Sequence, residues 1–436
     1  MINRLNYKEL EFSEGFENLI STEQSTVQTV EDTVRSIVKS VRLNGDEALL
    51  GFTNEFDRVE YKNACDLVVN PTDLRSASEK LDPIVKEALQ VSIDRVRQYH
   101  LKQKAASGGG ESWSFNDDEG NTLGQIVRSM EKVGVYVPGG KAAYPSSVIM
   151  TVIPAKVAGV GEIVLAVPAP NGILAPIILA AAYLCGVEKV YKIGGAQAIA
   201  AMAYGTDSVP RVDKIVGPGN IYVATAKKMV FGDVGIDMIA GPSEVVIVAD
   251  QSTDPDWLAM DLFAQAEHDE LAQSILISTN PKLLDEVENS MRKLLPEMQR
   301  AEIIKKSLEG RGALILVPDL NKAAELVNRI APEHLQLALN EPKQFVSSIR
   351  HAGAIFVGRF SAEVVGDYTA GPSHVLPTSG TSRFASPLGV NDFQIRTSMI
   401  QCSQRGAIKL SRAAAIIAAE EGLEAHARSA EFRFRG

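Results

Sequence analysis

Cysteine is scarce in this 436-residue chain, and Cys65, Cys185 and Cys402 stand far apart with no CxxC pair. That pattern fits free thiols in a reducing, cytoplasmic compartment rather than a disulfide framework. Positive charge is also short: the net charge of −10 leaves no basic field for nucleic acid or an anionic membrane. The opening Met-Ile-Asn-Arg-Leu-Asn-Tyr-Lys-Glu-Leu lacks the apolar core of a signal peptide. No apolar run reaches the roughly 20 residues of a membrane span. The most apolar stretch, 172–187, is interrupted by Pro176 and reads as a buried helix. No internal repeat or low-complexity tract is visible.

What is present is ordinary for a globular enzyme: 45% apolar and 22% charged residues, in a length of two to four domains at roughly 150 residues each. The first hundred residues read as mainly helical, and the helix from Val27 to Leu43 stops at Asn44-Gly45. Gly108-Gly109-Gly110 reads as an exposed loop. From residue 131, short β-rich runs at 133–137, 162–167, 189–193, 214–216, 244–248, 274–277, 313–317 and 354–357 alternate with helical stretches. Such alternation implies parallel sheets covered by helices, and so many strands suggest two α/β domains. After Gly380 a turn-rich stretch leads to one alanine-rich helix, 403–421, ending at Gly422. A lone helix cannot bury its face unaided, so docking on a second subunit is expected.

Glu333 and His334 follow Pro332 at the junction of a helix, 319–330 with Asp319 as N-cap, and a strand in which Leu335, Leu337 and Leu339 alternate with Gln336 and Ala338. That alternation predicts a half-buried strand. The pair offers a carboxylate and an imidazole for two proton transfers; a proline-ended turn facing solvent is the plainer alternative. Gln265 and His268 share one face of a helix opened by Asp254-Pro255, a common spacing for metal ligands that a surface Gln and a partly exposed His also satisfy. Residues 366–374 form a glycine-punctuated loop in which Asp367 is a ligand candidate or an Asx-turn, and His374 an alternative ligand or a support behind one. His426 reads as a surface residue unless a second subunit covers it; His100 and His351 read as structural. Glycines follow three strand ends, at 135–140, 193–197 and 216–220, where α/β sheets bind ligands, but no GxGxxG is present.

Taken together, these residues resemble the histidinol dehydrogenase family. The resemblance is carried by 135–140 with Tyr144-Pro145-Ser146-Ser147, 194–201, 216–227, 239–244, 265–269, 331–335, 366–378 and 421–426, in the family's order over most of the chain. Two departures are Gln336, where relatives often carry an acid, and Ala362, where many carry proline; both are expected to affect only local loop geometry.

The resemblance implies an α/β fold of two incomplete Rossmann-like α/β/α domains, aldehyde-dehydrogenase-like, with small helical N- and C-terminal domains. Residues 1–132 with 243–380 would form the first domain, holding zinc, substrate and acid–base groups, and 133–242 the NAD-binding second. The segment 381–436 would reach the partner subunit of a homodimer. By the same resemblance, Glu333 and His334 are the acid–base pair, and Gln265, His268, Asp367 and His426 the zinc ligands. Ser243, His334 and Glu421 contact L-histidinol together with those ligands, and Tyr136, Gln197 and Asn220 contact NAD. The implied reaction takes L-histidinol through the aldehyde to L-histidine, with His334 as base and Glu333 activating water; no cysteine matches a site motif, which disfavours a thiohemiacetal. A dehydrogenase of another small polar alcohol, a zinc hydrolase and a non-catalytic binding protein are the alternatives.

Overall fold

Runs of branched aliphatic residues bounded by turn residues become short parallel strands in the computed structural model, which describes residues 2–21, 27–139 and 143–435. The strands are β1 (Asn3–Asn6), β2 (Trp113–Asn116), β3 (Thr122–Ser129), β4 (Lys132–Tyr136), β5 (Glu162–Ala166), β6 (Lys189–Tyr191) and β7 (Lys214–Val216). They continue with β8 (Gly235–Ile236), β9 (Glu244–Ala249), β10 (Gln273–Ser278), β11 (Ala313–Leu316), β12 (His334–Ala338), β13 (Ala354–Val357) and β14 (Gln394–Gln401). Gly140, from the first glycine-bearing strand end, lies outside the described residues.

Two all-parallel sheets dominate, ordered β6-β5-β4-β7-β8 and β1-β11-β10-β9-β12-β13. In the first, the chain runs outward from β4 to β6 and then returns to β7 on the other side. In the second it runs from β9 to β11 and returns to β12. Each sheet therefore has a switch point, between β4 and β7 and between β9 and β12, where an α/β sheet opens a crevice. β9 and β10 are buried along their whole length, as strands covered on both faces must be. So is β12, against the expectation of a half-buried strand: it lies between β9 and β13, and even Gln336 is enclosed.

The helices at 27–106 pack on the five-stranded sheet, not on the six-stranded one with which the sequence reading grouped residues 1–132. Val34, Ile37 and Val41 of the helix Val27–Asn44 enter one core with Ala198 and Val223. The helix Pro83–Ala106 lies on Pro145–Ala158, and Pro71–Lys80 on Pro176–Leu184. Among the described residues of this stretch, 3–20 join the other sheet, through β1 beside β11 and the helix Phe12–Ile20. An amphipathic helix declares that it has a buried face but not which sheet will cover it.

A third, antiparallel sheet, β14-β3-β2, joins residues 394–401 to 122–129. The C-terminal segment thus carries a strand as well as helices. Ser403 Oγ then accepts the Gly406 amide at 2.9 Å and caps the helix Gln404–Glu420, which folds against Glu424–Glu431 as a hairpin. Among the described residues no helix is long and apolar enough to cross a membrane.

Candidate active site

The helix Leu320–Ile330 is capped by the Asp319 side chain and ends at Ala331 in the left-handed region, φ +53°. That residue turns the chain sharply, and Pro332 prevents the helix from resuming. Glu333 and His334 are thereby delivered to the start of β12, both buried. Gly353 allows β13 to approach: a Cβ there would sit 2.5 Å from the Glu333 carbonyl oxygen. The solvent-facing alternative is excluded.

Around His334 the contacts fix the ring. Nδ1 lies 3.0 Å from the Glu244 carbonyl oxygen, an acceptor only, so Nδ1 carries the proton and Nε2 is the basic nitrogen of the neutral ring. Nε2 lies 3.6 Å from Asp367 Oδ1 and has no hydrogen-bond partner. Glu333 Oε2 accepts the Glu244 amide at 2.9 Å and lies 3.6 Å from His334 Nδ1. Glu363 Oε1 is 3.4 Å from the same Nδ1, while its Oε2 is buried without a partner.

The electrostatics follow from burying so many acids around one imidazole. Burial pushes Glu333 up to about 7, partly offset by His334 and the Glu244 amide. Glu363 rises to about 8, again through burial, against the attraction of His334. Burial disfavours the charged imidazole, but the Glu363, Glu333 and Asp367 carboxylates outweigh it and raise His334 well above its usual range. Burial also opposes ionisation of Asp367, yet contact with His334 and the nearby His374 and His268 hold it below the ordinary carboxylate range. His268 and His374 are kept neutral by burial, which lowers both.

Gln265 sits in the last turn of the helix Pro255–Ala266 and is buried with Nε2 unpartnered; His268 lies in the turn just beyond, its amide bonded to the Gln265 carbonyl. Asp367 sits on a short helix, Glu363–Tyr368, rather than in a loop. Gly366 lets that helix close on Phe356, whose ring would stand 2.3 Å from a Cβ. His374 Nδ1 meets the Asp367 carbonyl at 3.1 Å, so His374 supports the Asp367 backbone. Among the described His, Cys, Asp and Glu residues, the group with ligand atoms within 4.8 Å of one another is His334, Glu363 and Asp367, sharing Asp367 with the expected zinc set. Glu421 and His426 stand exposed at the C-terminal hairpin, outside this buried cluster.

A cavity joins this cluster to the other sheet. Ser243 and Glu333, at the N-terminal ends of β9 and β12, line it together with Gly217 and Pro218 from the C-terminal end of β7. Tyr136 ends β4 with its hydroxyl 3.1 Å from the Gly195 amide; Gln197 is buried with Oε1 unpartnered; Asn220 is exposed and caps the helix Ile221–Val230. These three stand at the C-terminal ends of β4, β6 and β7.

The histidinol dehydrogenase family profile matches residues 20–434. The chain belongs to that family. The histidinol dehydrogenase of Pseudomonas aeruginosa is 56% identical over 432 residues, covering 99% of this chain and 97% of its own. That of Methylococcus capsulatus is 54% identical over 434 residues, covering 100% and 98%. The crystal structure of histidinol dehydrogenase from Elizabethkingia anophelis superposes with a TM-score of 0.91 at 31% identity, covering 100% of this chain and 98% of that one. The fold and the oxidoreductase class of this histidinol dehydrogenase family member rest on these matches.

Within it, the structure brings Glu333, His334, Asp367 and His268 into one electrostatic cluster, with Ser243 on the adjoining cavity. It leaves Glu421 and His426 apart from them in a single chain. Glu363 and the Glu244 main chain were missed. The Glu363-x-x-x-Asp367 spacing, one helical turn, was the available signal, hidden because Gly366 made the segment read as a loop. Gln336 lies in β12, where the alternation placed it, fully buried, and its Nε2 donates to Asp261 at 2.6 Å.

Proposed function

We propose that this chain catalyses the zinc-dependent, NAD-linked four-electron oxidation of L-histidinol to L-histidine through L-histidinaldehyde, the last step of histidine biosynthesis. The carrying observation is His334: its Nδ1 is committed to the Glu244 carbonyl, its Nε2 is free, and Glu333 stands beside it. Gln265, His268 and Asp367 would hold the metal, with His426 supplied by a second copy of the chain. The donor chemistry fits, since His268 is kept neutral and Asp367 ionised, the ligand-competent forms. When bound, zinc supplies a template and Lewis acid, and NAD the hydride acceptor.

His334 Nε2 takes the hydroxyl proton of histidinol while hydride leaves the adjacent carbon. Asp367 lies 3.6 Å from His334 Nε2 and favours its protonated form; engaged as a metal ligand it would do so less, which favours the neutral ring as base. Once His334 has passed its proton to solvent, Glu333, near 7, accepts a proton from water as it adds to the aldehyde, and His334 removes the hydroxyl proton in the second oxidation. Ser243 beside Glu333, and Glu421 from the second copy, complete the substrate contacts. Tyr136, Gln197 and Asn220 face NAD. The reading places the enzyme in the cytoplasm, where the exposed thiols of Cys65 and Cys402 stay reduced.

Histidinol-dependent NAD reduction, followed by near-ultraviolet absorbance, is expected to stop with a strong chelator and return with zinc. His268→Asn is expected to lower zinc content and turnover together. Full activity in protein shown metal-free by elemental analysis refutes the zinc assignment. Asn220→Ala is expected to raise KM for NAD more than KM for histidinol, and unchanged NAD kinetics contradict that placement.

A further inference from the structure

The switch point of the five-stranded sheet contains a buried ion pair that the proposed chemistry does not use. Lys227 and Asp237 are each almost fully enclosed and bonded to one another. Both also hold Gly217, the first residue after β7. Lys227 Nζ donates to the Gly217 carbonyl at 2.9 Å, and Asp237 Oδ2 accepts the Gly217 amide at 2.7 Å. Asp237 Oδ1 accepts the Met238 amide at 2.6 Å. Gly217 has φ +111°, and a Cβ there would sit 2.1 Å from the Tyr136 carbonyl oxygen. Its peptide is therefore gripped at both polar groups while its Cα lies against the end of β4.

A buried ion pair is an expensive way to gain stability, because desolvation consumes most of the attraction. Its use here is geometric. Lys227, Asp237, Gly217 and Pro218 line the same cavity as Ser243 and Glu333. The pair thus fixes the turn where the five-stranded sheet faces Glu333 across the cavity. The turn lacks the third glycine of a dinucleotide fingerprint, so its backbone has no standard phosphate loop to shape it.

We infer that Lys227 and Asp237 are positioning residues that hold the 217–220 turn in the conformation that receives the nicotinamide end of NAD, opposite Glu333. This rests on the NAD placement proposed above. Neither residue moves a proton or hydride; they act through Gly217.

Two double variants separate a hydrogen-bonding clamp from mere packing. Lys227→Met with Asp237→Leu removes the grip without stranding a charge, whereas Lys227→Gln with Asp237→Asn keeps neutral hydrogen bonds to Gly217. The first pair is expected to raise KM for NAD at least tenfold, with zinc content unchanged and histidinol affinity by calorimetry within twofold. The second is expected to bring KM for NAD back to within threefold of the parent. A folded Met/Leu protein with NAD kinetics within twofold of the parent overturns the inference, as does an equal loss of histidinol affinity. If the Met/Leu protein does not fold, hydrogen exchange on the parent decides. The Gly217 and Met238 amides are expected to be protected for minutes or longer, and exchange within seconds overturns the clamp. Asn220→Ala, run alongside, separates the two readings. If it raises KM for NAD while the Met/Leu pair does not, the clamp alone fails; if neither raises it, NAD does not bind at this turn.

Discussion

Glu363 and Asp367 stand four residues apart on one short helix and flank a single imidazole, one near each nitrogen of His334. A carboxylate beside a base histidine orients the ring and tunes its basicity. Glu363→Gln is therefore expected to lower kcat by about 10-fold or more, within the roughly 10²–10⁴-fold that general-base catalysis contributes, with zinc content and KM for NAD retained. A variant within twofold of parental kcat contradicts a positioning role for Glu363. The same groups set the pH dependence of the chelator-stripped protein. Glu333, Glu363 and His334 all hold protons more tightly in the folded chain than in the unfolded one. Their contributions are full below the unfolded values and are lost as pH rises through about 7 for Glu333 and about 8 for Glu363. The lowered Asp367 acts only in acid, and the lowered His268 and His374 contribute fully above their ordinary range. The melting temperature of metal-free protein is thus expected to fall between about pH 6.5 and 8.5, with a shallower fall in Glu363→Gln. A flat or rising profile there contradicts the arrangement of buried acids. At this scale the sequence showed Glu333 and His334 because proline and a change of period frame them. It hid Glu363, whose neighbours Val364 and Val365 carry no polar signal.

Strands buried on both faces were legible, and the mostly exposed β14 was not. β9 and β10 read as strands because Val-Val-Ile-Val and Ile-Leu-Ile must be covered by helices. β14 escaped because most of its residues are exposed, so no burial pattern marks it; only its pairing with β3 does. That pairing leads directly into the C-terminal hairpin. Asn121 Oδ1 accepts the Ser403 amide at 3.0 Å, and Gly406 lies so close to Asn121 that a Cβ would sit 1.9 Å from Oδ1. Gly406→Ala must push the helix Gln404–Glu420 off its seat, at a cost of about 1–3 kcal/mol. Because that helix leads to Glu421 and His426, the variant is expected to lose zinc and activity as well as melting temperature. Parental zinc content in Gly406→Ala contradicts a role for the hairpin's seat in delivering His426.

Across the whole molecule, the five-stranded sheet presents its C-terminal edge and the six-stranded sheet its N-terminal edge to one cavity, yet His426 and Glu421 remain outside it. The hairpin that carries them also leaves Leu410, Ile416, Ile417 and Phe432 exposed. No reading of single-chain periodicity can say which copy's site a surface histidine serves, which is why only the family resemblance marked His426 as a ligand. Exchange between two inactive proteins resolves it. His426→Ala and His334→Ala proteins are mixed, partly denatured and refolded so that any subunits redistribute. If His426 acts in trans, each heterodimer holds one site with both defects and one with neither. Half the dimers are mixed, so about a quarter of parental activity is expected to return. If His426 serves its own chain, every site keeps one defect and the mixture stays inactive. Proven subunit exchange without recovered activity therefore rules out the shared site, and would leave the exposed face of the hairpin to be explained without catalysis.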